Sequence, residues 1–550
     1  MYLCLEKGGT LSLWESLLYR AMNNNRMKSL HLRAKTLIIS LINSIGFSGL
    51  LFFIFFCLGF IGIFNHAMWR DELNPWLIAR DSNSLVELFK NIKYEGHPGL
   101  WYICLYLLNQ FTHNPIAMQM THLILATSFI YIFLRFSPFT RWQKVLFSFG
   151  YLPFYEYLLI SRNYIIGILL ISAFCALYNT RKKSYIILSL LLFLLANANA
   201  YCLFISLALG LALIVEYNLR EQLAESLTAS RTNIILSLAI FFLGIAVSLA
   251  QLMPPADSTL QGGLAGWTLH FDMRHLAKAL IRIWNSYIVI LVPGDSNIEV
   301  FLFAVLALGL FFFVSTVLIR KPIALLIYTV GTLEILVFTY VKFLGSARHY
   351  GHLYIVLIVS LWIASYYPKS HLLLQPLTRG SRMIQPISTV WLKFTEKYQT
   401  ILIMVILSAQ LAAGIVAFSR DLVVPYSAAR ATARYIQSQH LENKFMVGSR
   451  DATISPLCGY LNRKIYYPER QGLGSFVLFN SQRQEVDAAT VLAQVSQLLQ
   501  QKPEPILLIL NNELNTARAD LSVSPLSKFT KSLIFNEKYY LYEVSPAVKS

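Results

Sequence analysis

The stretch Trp69-Arg70-Asp71-Glu72-Leu73-Asn74-Pro75-Trp76 places two adjacent carboxylates directly after an apolar run, Phe47 to Phe64, that is long enough to cross a bilayer. A charged group at that depth is costly unless it faces a wet cavity or a partner, so the pair reads as a site. A second stretch, Tyr94-Glu95-Gly96-His97-Pro98-Gly99-Leu100-Trp101-Tyr102, adds a carboxylate and an imidazole. Two more groups stand at the ends of apolar runs: Glu156 with Arg162, and Arg348 with His349 and Tyr350. Carboxylates and cations gathered at one membrane surface suit a substrate with an anionic head and a lipid tail. An arginine binds phosphate oxygens with a planar fork, two donors at once. A carboxylate within hydrogen-bond reach can take the proton of an attacking hydroxyl. A lipid phosphate leaves readily when cations hold its charge. The chemistry these residues permit is transfer of a group from a lipid phosphate to a hydroxyl outside the membrane. The competing reading makes the acids a solvated loop, the arginines snorkelling interfacial residues and the histidines interfacial aromatics. Glu334 and the Asn197/Asn199 pair are assigned to helix–helix contacts.

The elements that must position these groups are membrane helices. Of 550 residues 56% are hydrophobic and only 13% charged, which marks a polytopic membrane protein. The formal charge of +18 comes from short basic clusters between hydrophobic runs. That placement is the cytoplasmic excess of Lys and Arg, a topology signal, and it excludes nucleic acid as a partner. Six scattered cysteines show neither metal-ligand spacing nor a disulfide framework, so no metal ligands are assigned.

The charge rule gives about eleven spans: 47–64, 116–134, 145–155, 164–178, 184–198, 200–215, 233–252, 297–319, 322–341, 350–367 and 399–419. Residues 1–35 read as a basic cytoplasmic tail, and 36–420 as the transmembrane domain. The first outer loop, 66–115, is expected to carry amphipathic interfacial helices, with Gly99 to Phe111 too short to span. A long outer loop, 253–296, holds Gly262-Gly263 and a surface helix over 273–292. Residues 421–550 change to the composition of a small α/β domain outside the membrane. Strands are expected over 444–447, 464–467, 476–479, 506–510 and 539–544, with helices near 427–439 and 487–500. Gly472-Leu473-Gly474 lacks the rest of a dinucleotide fingerprint and reads as a turn.

The order of these motifs resembles the GT-C superfamily of membrane glycosyltransferases, and most closely the bacterial branch related to protein O-mannosyltransferases and the lipid A aminoarabinose transferase. That family opens its first outer loop with an acidic Asp-Glu motif, matched by Asp71-Glu72. Its His-Pro-Pro-Leu-Tyr-like segment is matched by His97-Pro98-Gly99-Leu100-Trp101-Tyr102, with Gly99 departing. Its Arg-Pro-Tyr-like and Arg-Tyr motifs are matched by Arg162-Asn163-Tyr164, with Asn163 departing, and loosely by Arg348-His349-Tyr350. The resemblance implies inverting transfer from a polyprenyl-phosphate sugar, with Asp71 as the base and Glu72 positioning acceptor or donor. It implies Arg162 and Arg348 as the donor-phosphate ligands. Glu95, His97, Glu156, His349 and Tyr350 would line the substrate site. Members differ in metal use, so a divalent cofactor is left open.

The reading is a multi-pass bacterial inner-membrane enzyme, N-terminus cytoplasmic and C-terminal domain periplasmic. Its partners would be the lipid-linked donor, a hydroxyl acceptor on lipid, glycan or protein, and membrane lipids. The alternatives are a flippase of lipid-linked sugars and a polysaccharide polymerase or ligase. A flippase calls for polar residues along a central pathway or broken helices in two related halves. Carboxylates collected on one side favour the enzyme.

Overall fold

The computed structural model describes residues 46–223, 226–260, 266–374 and 384–547, with the side chains of 384–389 left aside. The tail 1–35 and the Gly262-Gly263 pair lie outside these residues. The chain divides into residues 1–54 and 55–550. Of the first, residues 46–54 are described and are helical. Everything below concerns the second.

Among the described residues eight helices are long and apolar enough to cross a membrane. They are Gly46–Asn65, Ile116–Phe136, Tyr164–Lys182, Ala200–Asn218, Arg231–Leu252, Asn297–Leu318, Pro322–Val341 and Val390–Val423. Hydrocarbon offers the backbone no partner, so each such run must close its own hydrogen bonds as a helix. This is a polytopic helical membrane protein.

Three expected spans are built differently. Residues 145–155 are split between the helix Arg141–Ser148 and a π-helix, Tyr151–Leu159, separated by an extended Gly150. The break has a packing cause: a Cβ on Gly414 of the last span would lie 2.6 Å from the Phe149 carbonyl oxygen, so two backbones meet there. Ile186–Ala196 is only 11 residues, about 16 Å of helix, and sits among its neighbours. Ala347–Ala364 is mostly buried and carries His349 and His352 into the interior, with Arg348 partly exposed at its start.

Of the Asn197/Asn199 pair, only Asn197 makes the helix–helix hydrogen bond assigned to it. Asn197 Nδ2 donates to Gly244 O at 3.1 Å on a neighbouring helix, and Asn199 caps Ala200–Asn218 by accepting from Cys202 N at 2.9 Å.

A buried ion pair joins two spans at the end away from Asp71. Arg181 Nε lies 2.8 Å from Glu216 Oε1 with both side chains fully buried, and the guanidinium stands over the rings of Tyr178 and Tyr367. Breaking such a pair strands a charge in low dielectric at about 3–5 kcal/mol, whereas replacing both members costs far less. Arg181→Met should therefore lower the thermal midpoint in detergent sharply, and Arg181→Met with Glu216→Met should recover most of it. Equal losses in the single and double variants would show that the pair is not what holds these helices.

The C-terminal part is a six-stranded sheet of order β3-β2-β1-β4-β6-β5. Its strands are β1 Phe445–Gly448, β2 Ile465–Tyr467, β3 Gly472–Gly474, β4 Ile506–Leu510, β5 Leu521–Phe529 and β6 Tyr539–Pro546. Strand β1 runs parallel to β2 and β4, with Val447 opposite Leu508, and the β3, β5 and β6 pairings are antiparallel. All five residues of β4 are buried, as expected of a central strand covered on both faces. The helix Ala488–Gln501 supplies Val491, Leu492, Val495 and Leu499 to that core.

Two sequence expectations fail here. Gly472-Leu473-Gly474 is a strand, not a turn: a Cβ on Gly474 would lie 2.9 Å from the Tyr467 ring, so glycine lets the strand pass beneath it. Residues 476–479 form no strand, because their backbone is spent elsewhere: Val477 N donates to Asn74 Oδ1 at 2.9 Å, and Thr259 N donates to Phe479 O at 2.8 Å. Strand β5, interrupted by Pro525 at a register shift, was not anticipated.

Candidate functional site

The helix Arg70–Asp81 starts where the first span ends, and it is the floor of the site. Its residues Glu72 to Ala79 are buried, partly beneath the sheet unit, where Gly459 rests on Leu73. Arg70 and Asp71, at its start, are left partly exposed.

Three sequence-predicted residues meet directly. Asp71 Oδ2 lies 2.7 Å from Arg162 Nη1 and 2.7 Å from Arg348 Nη2. Arg70 Nε is 3.7 Å from the other oxygen, Oδ1. Burial alone would push the Asp71 carboxyl up, but Arg162 and Arg348 hold it below the ordinary carboxylate range. The Arg348 guanidinium stands 5.2 Å from the centre of the Trp69 ring, and Arg162 5.6 Å from that of Tyr164. Both arginines precede or open helices, Tyr164–Leu177 and Ala347–Ala364, whose N-terminal ends favour anions.

Glu72 does not join them. The sequence sets it beside Asp71 as the carboxylate that positions acceptor or donor, but the structure buries it completely and uses both its oxygens. Oε1 accepts from Ser161 N at 2.7 Å; Oε2 meets His66 Nε2 at 2.9 Å and accepts from Trp69 N at 3.2 Å. Its part is to fix the backbone immediately before Arg162. On the other side of His66, Nδ1 lies 2.7 Å from Asp421 Oδ2, at the end of the last span. Burial would lower the His66 pKa, yet the two carboxylates outweigh it and raise the ring to about 10. A second histidine holds the Arg162 backbone directly: His122 Nδ1 donates to Leu158 O at 2.9 Å, which leaves Nε2 to accept from Arg162 N at 3.1 Å.

The remaining predicted residues surround this centre without touching Asp71. Glu95 accepts from Asn74 Nδ2 at 2.9 Å and Tyr102 OH at 3.2 Å, and burial lifts its pKa to about 7. Burial, aided by the two arginines, depresses His97 to about 3, so its ring is neutral. Glu156 accepts from Tyr151 OH at 2.6 Å within the π-helix. His349 accepts from Ser346 N at 3.0 Å and packs on Tyr201. Tyr350 is turned towards Arg282, 5.1 Å from its ring centre.

The sheet unit completes one wall. Glu537 Oε1 accepts from Arg70 N at 3.1 Å, and Tyr460 OH donates to Met68 O at 3.4 Å. Sequence reasoning missed His66, His122, Asp421 and Glu537. His66 and Asp421 had a signal: each is a titratable residue at the end of an apolar run facing the Asp-Glu loop. Glu537 had none. Among the described residues no group of three His, Cys, Asp or Glu is placed to hold a metal ion.

No family model and no curated protein matches the chain. Among solved structures it is similar to the crystal structure of ArnT from Cupriavidus metallidurans bound to undecaprenyl phosphate, at 9% identity and a TM-score of 0.44, covering 91% of this chain and 98% of that one. A likeness of that size carries no inference about activity.

Proposed function

We propose that the chain is an inverting glycosyltransferase of the GT-C type, moving a sugar from a polyprenyl-phosphate donor to a hydroxyl acceptor at the periplasmic face of a bacterial inner membrane. The observation that carries this reading is the Asp71 carboxylate held 2.7 Å from two guanidiniums at one end of a bundle of apolar helices. The acceptor oxygen attacks the anomeric carbon opposite the donor's C–O–P link. That bond breaks with its electron pair going to the phosphate oxygen, the configuration inverts, and the hydroxyl proton passes to Asp71. Arg162 and Arg348 hold the charge that develops on the phosphate. Both guanidiniums are engaged by Asp71, so a phosphate that takes them over displaces the carboxylate and makes it a stronger base. Residues 36–420 would then be the catalytic domain and 421–550 the acceptor-side wall, with Glu537 at its edge.

The test is the full chain in nanodiscs, given radiolabelled polyprenyl-phosphate hexoses and pentoses with disappearance of the lipid-linked sugar followed. One donor should be consumed, and Arg162→Ala should slow its consumption about a hundredfold or more, the loss of one strong transition-state contact. Binding of a donor that is never consumed, with Arg162→Ala indistinguishable from the parent, would move the chain to the transporters.

A further inference from the structure

Beside the two arginines, five rings form a box that the reaction above does not use. Tyr164 has its ring centre 5.6 Å from that of His352, 5.9 Å from His349 and 6.3 Å from His97. Tyr201 lies 5.1 Å from His352 and 5.5 Å from His349. Tyr164, Tyr201 and His352 are at most 2% exposed. Yet the hydroxyls of Tyr164 and Tyr201, Nε2 of His352 and Nδ1 of His97 have no hydrogen-bond partner. Buried polar atoms are ordinarily paired, and four orphans in one cluster are costly unless something supplies their partners.

The tautomers say what that partner must offer. His352 Nδ1 bonds the His349 carbonyl at 2.9 Å, and a carbonyl only accepts, so in the uncharged ring Nε2 is a bare acceptor. His349 Nδ1 accepts from Ser346 N, so its Nε2 carries the hydrogen and donates. The tyrosine hydroxyls do either. The box therefore presents both donors and acceptors beside aromatic faces, which suits a ring whose edges are hydroxyls and whose faces are C–H.

We infer that Tyr164, Tyr201, His349, His352 and His97 seat the donor's glycosyl ring, and that this ring is an uncharged polyhydroxylated sugar. The inference rests on the donor reading above. Arg162 and Arg348 take the phosphate at one side of the box. A cationic amino sugar in the same place would meet those two guanidiniums and uncharged rings. Glu156, whose Oε2 is also unpartnered, and Asp71, once a phosphate displaces it from the arginines, are the carboxylates that would offset such a charge, so an amino sugar belongs in the test.

Tyr201→Phe and Tyr164→Phe are clean probes, since neither hydroxyl has a partner inside the protein to lose. Dissociation constants would be measured on the full chain in nanodiscs for undecaprenyl phosphate alone, for undecaprenyl phosphate bearing a neutral hexose, and for undecaprenyl phosphate bearing an amino-pentose. The hexose lipid should bind the parent about tenfold or more tighter than the bare lipid. Each Phe variant should lose about tenfold on the hexose lipid, with bare-lipid affinity and thermal midpoint unchanged. Arg162→Ala should weaken all three lipids. If the bare lipid binds and the Phe variants bind the hexose lipid as the parent does, the box is overturned while the phosphate reading stands. Tighter binding of the amino-pentose lipid than of the hexose lipid overturns the neutral-sugar assignment. Failure of the parent to bind any of the three overturns both.

Discussion

Asp71→Asn should cut turnover of the donor by roughly a thousandfold, the middle to upper range for loss of a positioned base, while the affinity for bare polyprenyl phosphate holds or improves. The two halves of that result come from one distance. Asp71 Oδ2 is 2.7 Å from each guanidinium, so it competes with any phosphate for them. An amide is neutral and competes less. A residue that merely shaped the pocket would lose affinity and turnover together. The same geometry sets the pH dependence. Asp71 is held below the ordinary carboxylate range by Arg162 and Arg348 against the opposing effect of burial, so the base form survives well into acid. Its folded pKa is depressed, so the stability it contributes is present above the unfolded value and is lost only as pH falls through the lower one. Once a phosphate occupies the arginines that depression relaxes. The acid limb of kcat, which reports the bound complex, should therefore lie at higher pH than the acid limb of kcat/KM, which reports the free enzyme. Turnover of Asp71→Asn within tenfold of the parent, or coincident acid limbs, would remove Asp71 as the base.

The long spans and the chemistry at their ends were legible because hydrocarbon allows few solutions: a long apolar run is a helix, and a charge at its edge must be accounted for. Asp71, Arg162 and Arg348, separated by as many as 277 residues, were drawn to one place by that argument alone. Where the signal was local but ambiguous, the reading slipped. Residues 145–155 are apolar enough to span, and nothing in their composition reports that Gly150 must yield to the backbone packed on Gly414. Adjacent carboxylates also look alike in sequence. Only the fold separates Asp71, which turns to the arginines, from Glu72, which turns inward to His66. In the sheet unit, the buried run of β4 was clear, whereas β5 carries a proline and exposed polar positions, so its pairing with β6 is set by tertiary context. Glu537 reaches Arg70 across 467 residues, a contact that no spacing rule anticipates.

His66→Leu should be as damaging as breaking the Arg181–Glu216 pair, and it should reach the site as well. His66 faces two carboxylates, Glu72 at 2.9 Å and Asp421 at 2.7 Å, and carboxylate oxygens only accept, so both ring nitrogens carry hydrogen and the ring is an imidazolium. Removing it strands two buried carboxylates near each other, a loss of about 3–5 kcal/mol. The sign of the pH effect follows. In the parent the folded His66 pKa is raised to about 10 from an ordinary 6.5, so its contribution is complete below 6.5 and fades as pH climbs towards 10. In the variant that pH-dependent contribution is absent. Thermal midpoints in detergent across pH 5 to 9 would show a parent that is flat and then declining, and a variant that is lower throughout without that alkaline decline. His66→Leu with Asp421→Asn should regain part of the loss, because one of the two stranded charges is gone. The functional consequence travels through Glu72. With its carboxylate no longer clamped, the bond to Ser161 N weakens, the backbone ahead of Arg162 loosens, and bare polyprenyl phosphate should bind more weakly even at a pH where the variant is folded. A folded His66→Leu protein that binds this lipid as tightly as the parent would separate the buried clamp from the phosphate site and leave His122 as the histidine that places Arg162.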